Sequence, residues 1–339
     1  MANIDKLKKF SVREYKIKDF KKIQKLFELS FYRELSYENW HWECIQNPTG
    51  KSIVFLMFDD DKLIGHYNCS PILLNFRGNT IPAAISIISM THPDYRRLGI
   101  NPYLAKLTFQ KLKEIGIEMV YAFPNREATQ RIFFQKLNFV KLNKVNYIYK
   151  EISGYESKLN NLNKSHYSIV QIEKFDDEID NFFENIKDYP KIFRVISKEI
   201  LNWRFSKNSN KEYFKFLIKD SKNKEILAFF VLKIFINEQE ELFLDLVDYF
   251  INNNNLKQKY EIFLLIQEFS INYFKNKCSK IMMWLPDNKI VKNLIADMNY
   301  EHHYPPTNLY YQILKEASYS DYYNKIENWH LTMAHSDIF

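Results

Sequence analysis

The residues best equipped to hold a charged ligand lie in one short run, Arg96-Arg97-Leu98-Gly99-Ile100-Asn101. A β-branched stretch over residues 86–91 leads into Pro93, which ends it, and the spacing of apolar residues starts a helix near Asn101. A turn rich in free N–H groups at a helix N-terminus is a ready anion site. Gly99 permits close approach of the backbone, and Arg96 and Arg97 add positive charge. The ligand implied is a pyrophosphate. All six glycines (Gly50, Gly65, Gly78, Gly99, Gly116 and Gly154) precede residue 155, so any glycine-dependent phosphate cradle must sit in the first half of the chain.

The elements that hold this turn read as alternating strands and helices over residues 1–150. Residues 10–15 have strand character, and Asp19 is placed to cap a helix over 20–31 with Ile23, Leu26 and Phe27 on one face. A second helix is expected over 36–44. Strands over 52–58 and 62–70 flank Asp59-Asp60-Asp61 and read as a hairpin. Residues 71–76 and 81–91 continue the sheet. A helix over 101–115 turns Leu104, Leu107 and Leu112 inward. A strand over 119–123, a helix over 128–136 and a strand over 145–150 complete the set.

Residues 151–166 are polar, rich in Asn, Ser and Lys, and lack apolar periodicity, as a linker does. The pattern then restarts. Asn39-Trp40-His41-Trp42 is echoed by Asn202-Trp203-Arg204-Phe205, and Phe123-Pro124-Asn125 by Leu285-Pro286-Asp287. Leu137-Asn138-Phe139 is echoed by Met298-Asn299-Tyr300, and Asn146-Tyr147-Ile148-Tyr149 by Asn308-Leu309-Tyr310-Tyr311. Each landmark returns about 162 residues later, which marks an internal repeat. The expected organisation is a first copy over 1–150, a linker over 151–166, a second copy over 167–316 and a tail over 317–339. Where the first copy has the Arg/Gly turn, the second has Asn252-Asn253-Asn254-Asn255. Asparagine tolerates left-handed backbone, but the paired arginines and the glycine are gone, so the second copy reads as degenerate.

Bulk properties exclude several classes. With 46% hydrophobic and 26% charged residues, the 339-residue chain has a globular balance. Its net charge of +7 suits an anionic ligand. The basic residues are scattered rather than striped, which argues against nucleic acid. Cys44, Cys69 and Cys278 form no CxxC pair, and their odd number argues against a disulfide framework. The N-terminus has no apolar signal region, and no apolar run is long enough to span a membrane. A cytosolic protein is expected. His302-His303 has no third ligand at a usable spacing, so no metal is expected and the pair reads as loop.

The run 96–101 resembles motif A of the GNAT acetyltransferases, R/Q-x-x-G-x-G/A. Thr91-His92-Pro93-Asp94-Tyr95 resembles that family's V-x-P-x-Y lead-in. Val12-Arg13 through Asp19 resembles its first strand and helix cap. Phe123-Pro124-Asn125 and Leu137-Asn138-Phe139 resemble the landmarks of motif B. The departures are Asn101 for the last small residue, Asn138 for the glycine of L-G-F, and Phe134 where many members carry a tyrosine that protonates the departing thiolate. The resemblance implies an α/β (α+β) fold of two tandem GNAT-like domains, each a mixed, mostly antiparallel sheet flanked by helices.

It also implies acetyl-CoA as cofactor, held by Arg96, Arg97, Leu98, Gly99, Ile100 and Asn101. Backbone N–H groups near Met90 and Thr91 would bind the thioester carbonyl and the pantetheine, and Asn125 the pantetheine arm. A neutral amine would attack the thioester directly, which calls for a base or a water chain. Tyr121 is the best hydroxyl for acid–base work, with Ser89 beside it; a plain sheet tyrosine is an equal reading of Tyr121. His92 reads as a turn residue. Trp42 is expected at the acceptor pocket, Trp40 in the core.

Trp329, Leu331, Ile338 and Phe339 give the tail reason to dock, since burying one such side chain is worth roughly 1.5–3 kcal/mol. The cleft between the two copies is the expected place, where His335 and Asp337 would reach the acceptor and Asp337 would orient or deprotonate the amine. The ending Trp329-x-Leu331-Thr332 through Ser336-Asp337 resembles that of large two-part GNAT-like proteins associated with bacterial surface polysaccharides. The activity expected is N-acetylation of a small amine, an amino sugar or nucleotide-linked amino sugar. The rivals are acylation of an amino acid, peptide or antibiotic amine, and a non-catalytic acyl-CoA-binding scaffold. Oligomeric state is not encoded in any recognisable way.

Overall fold

The structure is a computed structural model that describes residues 4–124, 133–153, 166–207, 211–252, 255–286, 299–315 and 319–336. The strands in chain order are β1 Ser11–Glu14, β2 Ile53–Asp59, β3 Lys62–Phe76, β4 Asn79–Thr91, β5 Met119–Ala122, β6 Val140–Glu151, β7 Tyr167–Ile172, β8 Phe193–Arg194, β9 Phe214–Asp220, β10 Ile226–Ile236, β11 Leu242–Ile251, β12 Lys280–Pro286 and β13 Glu301–Ile313. The α-helices that lie wholly within the described residues are α1 Ile4–Leu7, α2 Phe20–Phe31, α3 Tyr37–Cys44, α4 Ile100–Glu114, α5 Asp177–Ile186, α6 Lys198–Phe205, α7 Leu256–Phe274 and α8 Ser320–Tyr323.

The chain forms two compact units. The first comprises Met1–Leu74, Thr80–Leu142 and Asn308–Asn324; the second comprises Asn75–Asn79, Asn143–Thr307 and Lys325–Phe339. Final strands are thus exchanged: residues 308–313 of β13 belong to the first unit, and β6 from Asn143 onward belongs to the second. In the first unit β1 pairs β2, β2 pairs β3 and β5 pairs β13 in antiparallel fashion, while β4 and β5 run parallel. In the second, β6 pairs β12, β11 pairs β10, β10 pairs β9 and β9 pairs β7 antiparallel, while β11 and β12 run parallel. Each sheet is therefore mixed and mostly antiparallel, as the resemblance implies.

In the first unit β3 separates two cores. Tyr67 and Cys69 pack with Leu104, Phe109 and Leu112 of α4, and Leu63 on the other face packs with Ile23 and Leu26 of α2 and Trp40 of α3. A register shift at Met57/Phe58 lets Ile64 join the α4 side. Leu107 is only half-buried. The hairpin turn puts Asp60 in left-handed backbone, φ 50°.

Three local expectations are corrected. Residues 71–76 are not a separate strand, because β3 runs straight through Pro71. Pairing of β3 with β2 ends at Ile53↔Cys69, so Pro71 needs no ladder N–H on that side. Its carbonyl instead accepts from Asn47 Nδ2 at 2.8 Å and Thr49 Oγ1 at 2.5 Å. Asp19 does not cap α2: Arg13 grips its carboxylate at 2.6 and 2.7 Å, and Lys16 N–H donates to it at 2.8 Å. His302 and His303 are not loop but lie in β13, where the ring of His303 meets Tyr147 edge-on at 4.9 Å.

The repeat is visible in matching local geometry. α3 and α6 are each capped by a serine: Ser36 accepts from Asn39 N–H, and Ser197 from Ile200 N–H. Trp40 and Trp203 are both core residues, at 1% and 4% exposure. Asn138 and Asn299 both adopt left-handed backbone, φ 58° and 55°, so asparagine fills the place of the glycine in L-G-F.

Candidate active site

β4 ends at Thr91, and His92 N–H then donates to Ile64 O at 2.9 Å, tying the exit to β3. A single 3-10 turn, Pro93–Tyr95, follows; His92 Nδ1 accepts from Asp94 N–H at 3.4 Å. Tyr95 hydroxyl donates to Asp59 Oδ2 at 2.7 Å and pins the turn to β2. Burial and nearby Lys62 hold the His92 imidazole below its usual range. Arg97 and Gly99 both take positive φ, 68° and 89°, so the chain curls to present consecutive N–H groups before α4 begins at Ile100. Arg96, Arg97 and Leu98 are exposed, while Gly99 and Asn101 are half-buried. Gly99 is the N-cap, and no side chain caps the helix. The first-turn N–H groups and the positive end of the helix dipole are thus left for a ligand.

Gly65 on β3 fixes how closely this helix approaches. A Cβ there would drive into Ile100 Cγ2 and come within 3.1 Å of Leu104 Cδ1. Ile100 and Leu104 are buried against it. Gly65 was not singled out by sequence, because a glycine needed for packing leaves no turn signature.

The parallel pairing of β4 with β5 ends at Ile85↔Tyr121, yet β4 continues to Thr91 while β5 stops at Ala122. The two strands therefore fork. Along the free stretch of β4, Ser89 and Thr91 are half-buried, whereas the Met90 side chain is buried near Trp40. Tyr121 is buried at the fork, paired in register with Tyr311 of β13. Asn125 lies outside the described residues. Phe134 is buried between Phe139, 4.9 Å away edge-on, and Tyr310, stacked at 4.8 Å. The strand exchange thus brings a tyrosine against the residue that lacks the family's hydroxyl; sequence reasoning found the Tyr310 landmark but not its new neighbours. Trp42, expected at an acceptor pocket, is buried on α3 at 7% exposure.

The second unit repeats the fork: β11 and β12 pair up to Leu246↔Met283, and β11 runs on to Ile251. Its helix N-terminus is different. Asn255 caps α7, its Oδ1 accepting from Lys257 N–H at 3.0 Å and Gln258 N–H at 3.3 Å. The donors left open on α4 are occupied on α7. Asn253 and Asn254 lie outside the described residues.

From Lys325 onward the described part of the tail packs into the second unit, whereas residues up to Asn324 belong to the first. Trp329 and Leu331 are buried, and His330 N–H donates to Ile192 O at 2.9 Å. Thr332 Oγ1 donates to Asp248 Oδ1 at 2.7 Å, and Arg204 to Ser336 O at 2.5 Å. His335 lines a small cavity with Arg194, Arg204, Asp248 and His330. Its Nδ1 accepts from Thr332 N–H at 3.1 Å, and burial and Arg194 hold the ring neutral. Asp337, Ile338 and Phe339 lie outside the described residues. Burial raises the thiols of Cys44, Cys69 and Cys278 above their usual range, so none is a thiolate nucleophile near neutrality. Among the described residues no group of His, Cys, Asp or Glu has the geometry of a metal site. Nor is any described helix long and apolar enough to cross a membrane.

Two forking parallel strands in a mixed sheet recur in both units, and in the first a left-handed glycine opens the following helix; this is an α/β protein of the GNAT fold. Residues 11–138 match the family model described as Acetyltransferase (GNAT) domain. No curated protein matches the chain by sequence. Among solved structures, a GCN5-related N-acetyltransferase from Anabaena variabilis superposes with a TM-score of 0.67 at 12% identity, over 90% of this chain and 73% of that one. A tandem GNAT protein from the clavulanic acid biosynthesis pathway gives a TM-score of 0.61 at 9% identity, over 91% and 100%. Saccharomyces cerevisiae N-myristoyltransferase with bound myristoyl-CoA gives 0.61 at 14% identity, over 91% and 80%. At these identities the likeness concerns the fold.

Proposed function

We propose that this protein is an N-acetyltransferase that moves an acetyl group from acetyl-CoA to the primary amine of a small acceptor, an amino sugar or nucleotide-linked amino sugar. The observation that carries the reading is the uncapped N-terminus of α4 behind left-handed Gly99, flanked by exposed Arg96 and Arg97 beside the β4/β5 fork. Segment 96–101 would hold the pyrophosphate, and Asn125 the pantetheine arm. Backbone N–H groups of Met90 and Thr91 would meet the thioester oxygen, where negative charge grows as the amine attacks. The amine nitrogen forms the new bond to the acyl carbon, the C–S bond breaks, and the amine proton leaves through a base or water. Tyr121 and Ser89 supply hydroxyls at the fork for returning a proton to the thiolate. The chemistry is assigned to sequence copy 1–150, and copy 167–316 binds no cofactor of its own.

The amino-sugar acceptor rests on the tail that carries His335 and Asp337. An amino acid, peptide or antibiotic amine is the alternative acceptor. One observation favours a non-catalytic acyl-CoA-binding scaffold: Phe134 is buried in aromatic packing where many family members carry a tyrosine. A thiolate is a tolerable leaving group, with a thiol pKa of about 8.5, and this favours the enzyme. The test is free-thiol release from acetyl-CoA with a panel of amines, alongside a CoA-dependent rise in melting temperature. Gly99→Glu should abolish the rise. No shift at millimolar CoA refutes the acyl-CoA reading; a shift without thiol release from any amine replaces the enzyme with the scaffold.

A further inference from the structure

β4 leaves β5 at the fork, so its free stretch must be held from elsewhere, and β3 supplies the means. His66 is buried to 0% exposure, its ring 5.5 Å from that of Trp40. Its Nδ1 lies 3.1 Å from the carbonyl oxygen of Ile88, beyond the last β4–β5 pair. A carbonyl can only accept, so Nδ1 carries the proton and Nε2 is the bare lone pair. Nε2 finds no donor among the described residues. Two residues along the strand, Asn68 gives its Nδ2 to Cys44 Sγ at 3.3 Å, and its Oδ1 is likewise without a donor. Burial pushes the imidazole down to about 3, so it stays neutral near neutrality.

A core position that needed only volume would hold leucine or phenylalanine and avoid burying a bare nitrogen. What the histidine adds is one N–H, aimed at Ile88. That carbonyl stands two residues before Met90, whose N–H is assigned to the acyl oxygen. The far end of the same stretch is fixed by His92 N–H on Ile64 O at 2.9 Å. β3 and β4 are hydrogen-bonded neighbours in the sheet, and to that pairing the His66 ring adds a side-chain bond to the Ile88 carbonyl.

We propose that His66 is a positioning residue: its Nδ1–H holds the Ile88 carbonyl and so sets the aim of the Met90 and Thr91 N–H groups at the fork. This rests on the acyltransferase reading of that fork. The test uses the intact chain and three variants. His66→Asn places an amide donor where Nδ1 stands, His66→Gln places it near Nε2, and His66→Leu removes it. Asparagine should keep kcat within about threefold of wild type. Glutamine and leucine should lower kcat by about 10- to 100-fold, the cost of a misplaced reacting geometry. The dissociation constant for CoA should stay within about threefold throughout, because the pyrophosphate cradle is untouched. Amide exchange by mass spectrometry supplies a readout independent of activity. Peptides covering 88–91 should exchange faster in His66→Gln and His66→Leu but not in His66→Asn, with second-unit peptides unchanged as a control on folding. If asparagine is as impaired as glutamine, or exchange at 88–91 is the same in all variants, the proposal is overturned. If the wild type turns over no amine, the acyltransferase reading fails and the exchange pattern alone decides whether His66 holds the strand.

Discussion

Gly65→Ala probes whether the approach of α4 to β3 sets the cofactor site. The added Cβ would lie well inside contact distance of Ile100 Cγ2 and 3.1 Å from Leu104 Cδ1. Carbon–carbon contacts relax at roughly 3.5–4.0 Å, so the start of α4 must move by on the order of 1 Å. Ile100 is β-branched and buried, with little freedom to turn aside. Overpacking of this kind costs about 1–3 kcal/mol of stability, or roughly 2–4 °C per kcal/mol in a unit of this size. The larger effect should fall on binding, because Ile100 follows Gly99 directly and the displaced turn is the one proposed to hold the pyrophosphate. Losing one charge-assisted hydrogen bond of about 1.5–3 kcal/mol weakens CoA by about 10- to 100-fold. Calorimetric titration with CoA measures this, and Ile100→Ala supplies the control. Ile100→Ala removes the clashing Cγ2, so the double variant should bind CoA more tightly than Gly65→Ala alone, with a coupling of about 1–3 kcal/mol. Gly65→Ala binding within twofold of wild type, with an unchanged melting temperature, would refute the claim that this contact positions the cradle.

Three further outcomes are expected. Calorimetry should find one CoA per chain, because Asn255 occupies the N–H groups of α7 that a second pyrophosphate would need; a stoichiometry of two contradicts this. A fragment of residues 1–150 should show no cooperative melting, because it lacks the strand that pairs with Met119–Ala122; a fragment that melts cooperatively and binds CoA would show the exchange is dispensable. Acid should reveal opposing buried groups. His66 and His330, both pushed down to about 3, and His335 refuse protons that the unfolded chain takes below about 6.5, so they cost stability as pH falls. Asp245, raised to about 7, and Asp248, raised to about 6, bind protons in the native state first and return stability as pH falls. Asp248→Asn should therefore steepen the fall in stability below pH 6 by up to about 1.4 kcal/mol per pH unit; parallel profiles would show that Asp248 does not titrate there.

The turn that opens α4 was legible because its signals are local. A proline after a β-branched strand, two arginines, a glycine and the onset of helical spacing need no partner from elsewhere in the chain. The helix over 20–31 and the Asp59–Asp61 turn were legible for the same reason. Contacts between elements were not. Gly65 carries no turn signal, since its role is to lack a side chain where α4 arrives. His66 and Asn68 stand at alternate positions of a strand and look like the polar face of a half-exposed sheet, yet both are fully buried. Asp19 has the composition of a helix cap, but Arg13 from the preceding strand claims its carboxylate. The repeat landmarks around Tyr147 and Tyr310 were readable as a pair, but not which unit each strand would join, because similar strands offer similar edges and only the three-dimensional path decides.

The two helix N-termini differ although each follows a parallel pair of strands that forks in the same way. An α-helix leaves its first N–H groups without partners, and these must be met by a side chain, water or a ligand. In the second unit Asn255 meets two of them, a structural solution with an ordinary capping gain of about 1 kcal/mol. In the first unit Gly99 cannot, having no side chain, and its left-handed φ turns the preceding arginines onto the same short arc. On stability alone an asparagine cap at α4 would be the better choice. Keeping a glycine there forgoes the cap, and under the proposed function the forgone interaction is what an incoming phosphate would supply. The same reasoning covers His66, where burying a bare nitrogen is worse for packing than a leucine would be. Both departures from the most stable choice fall in the first unit, one on β3 against Ile88 and one at the start of α4.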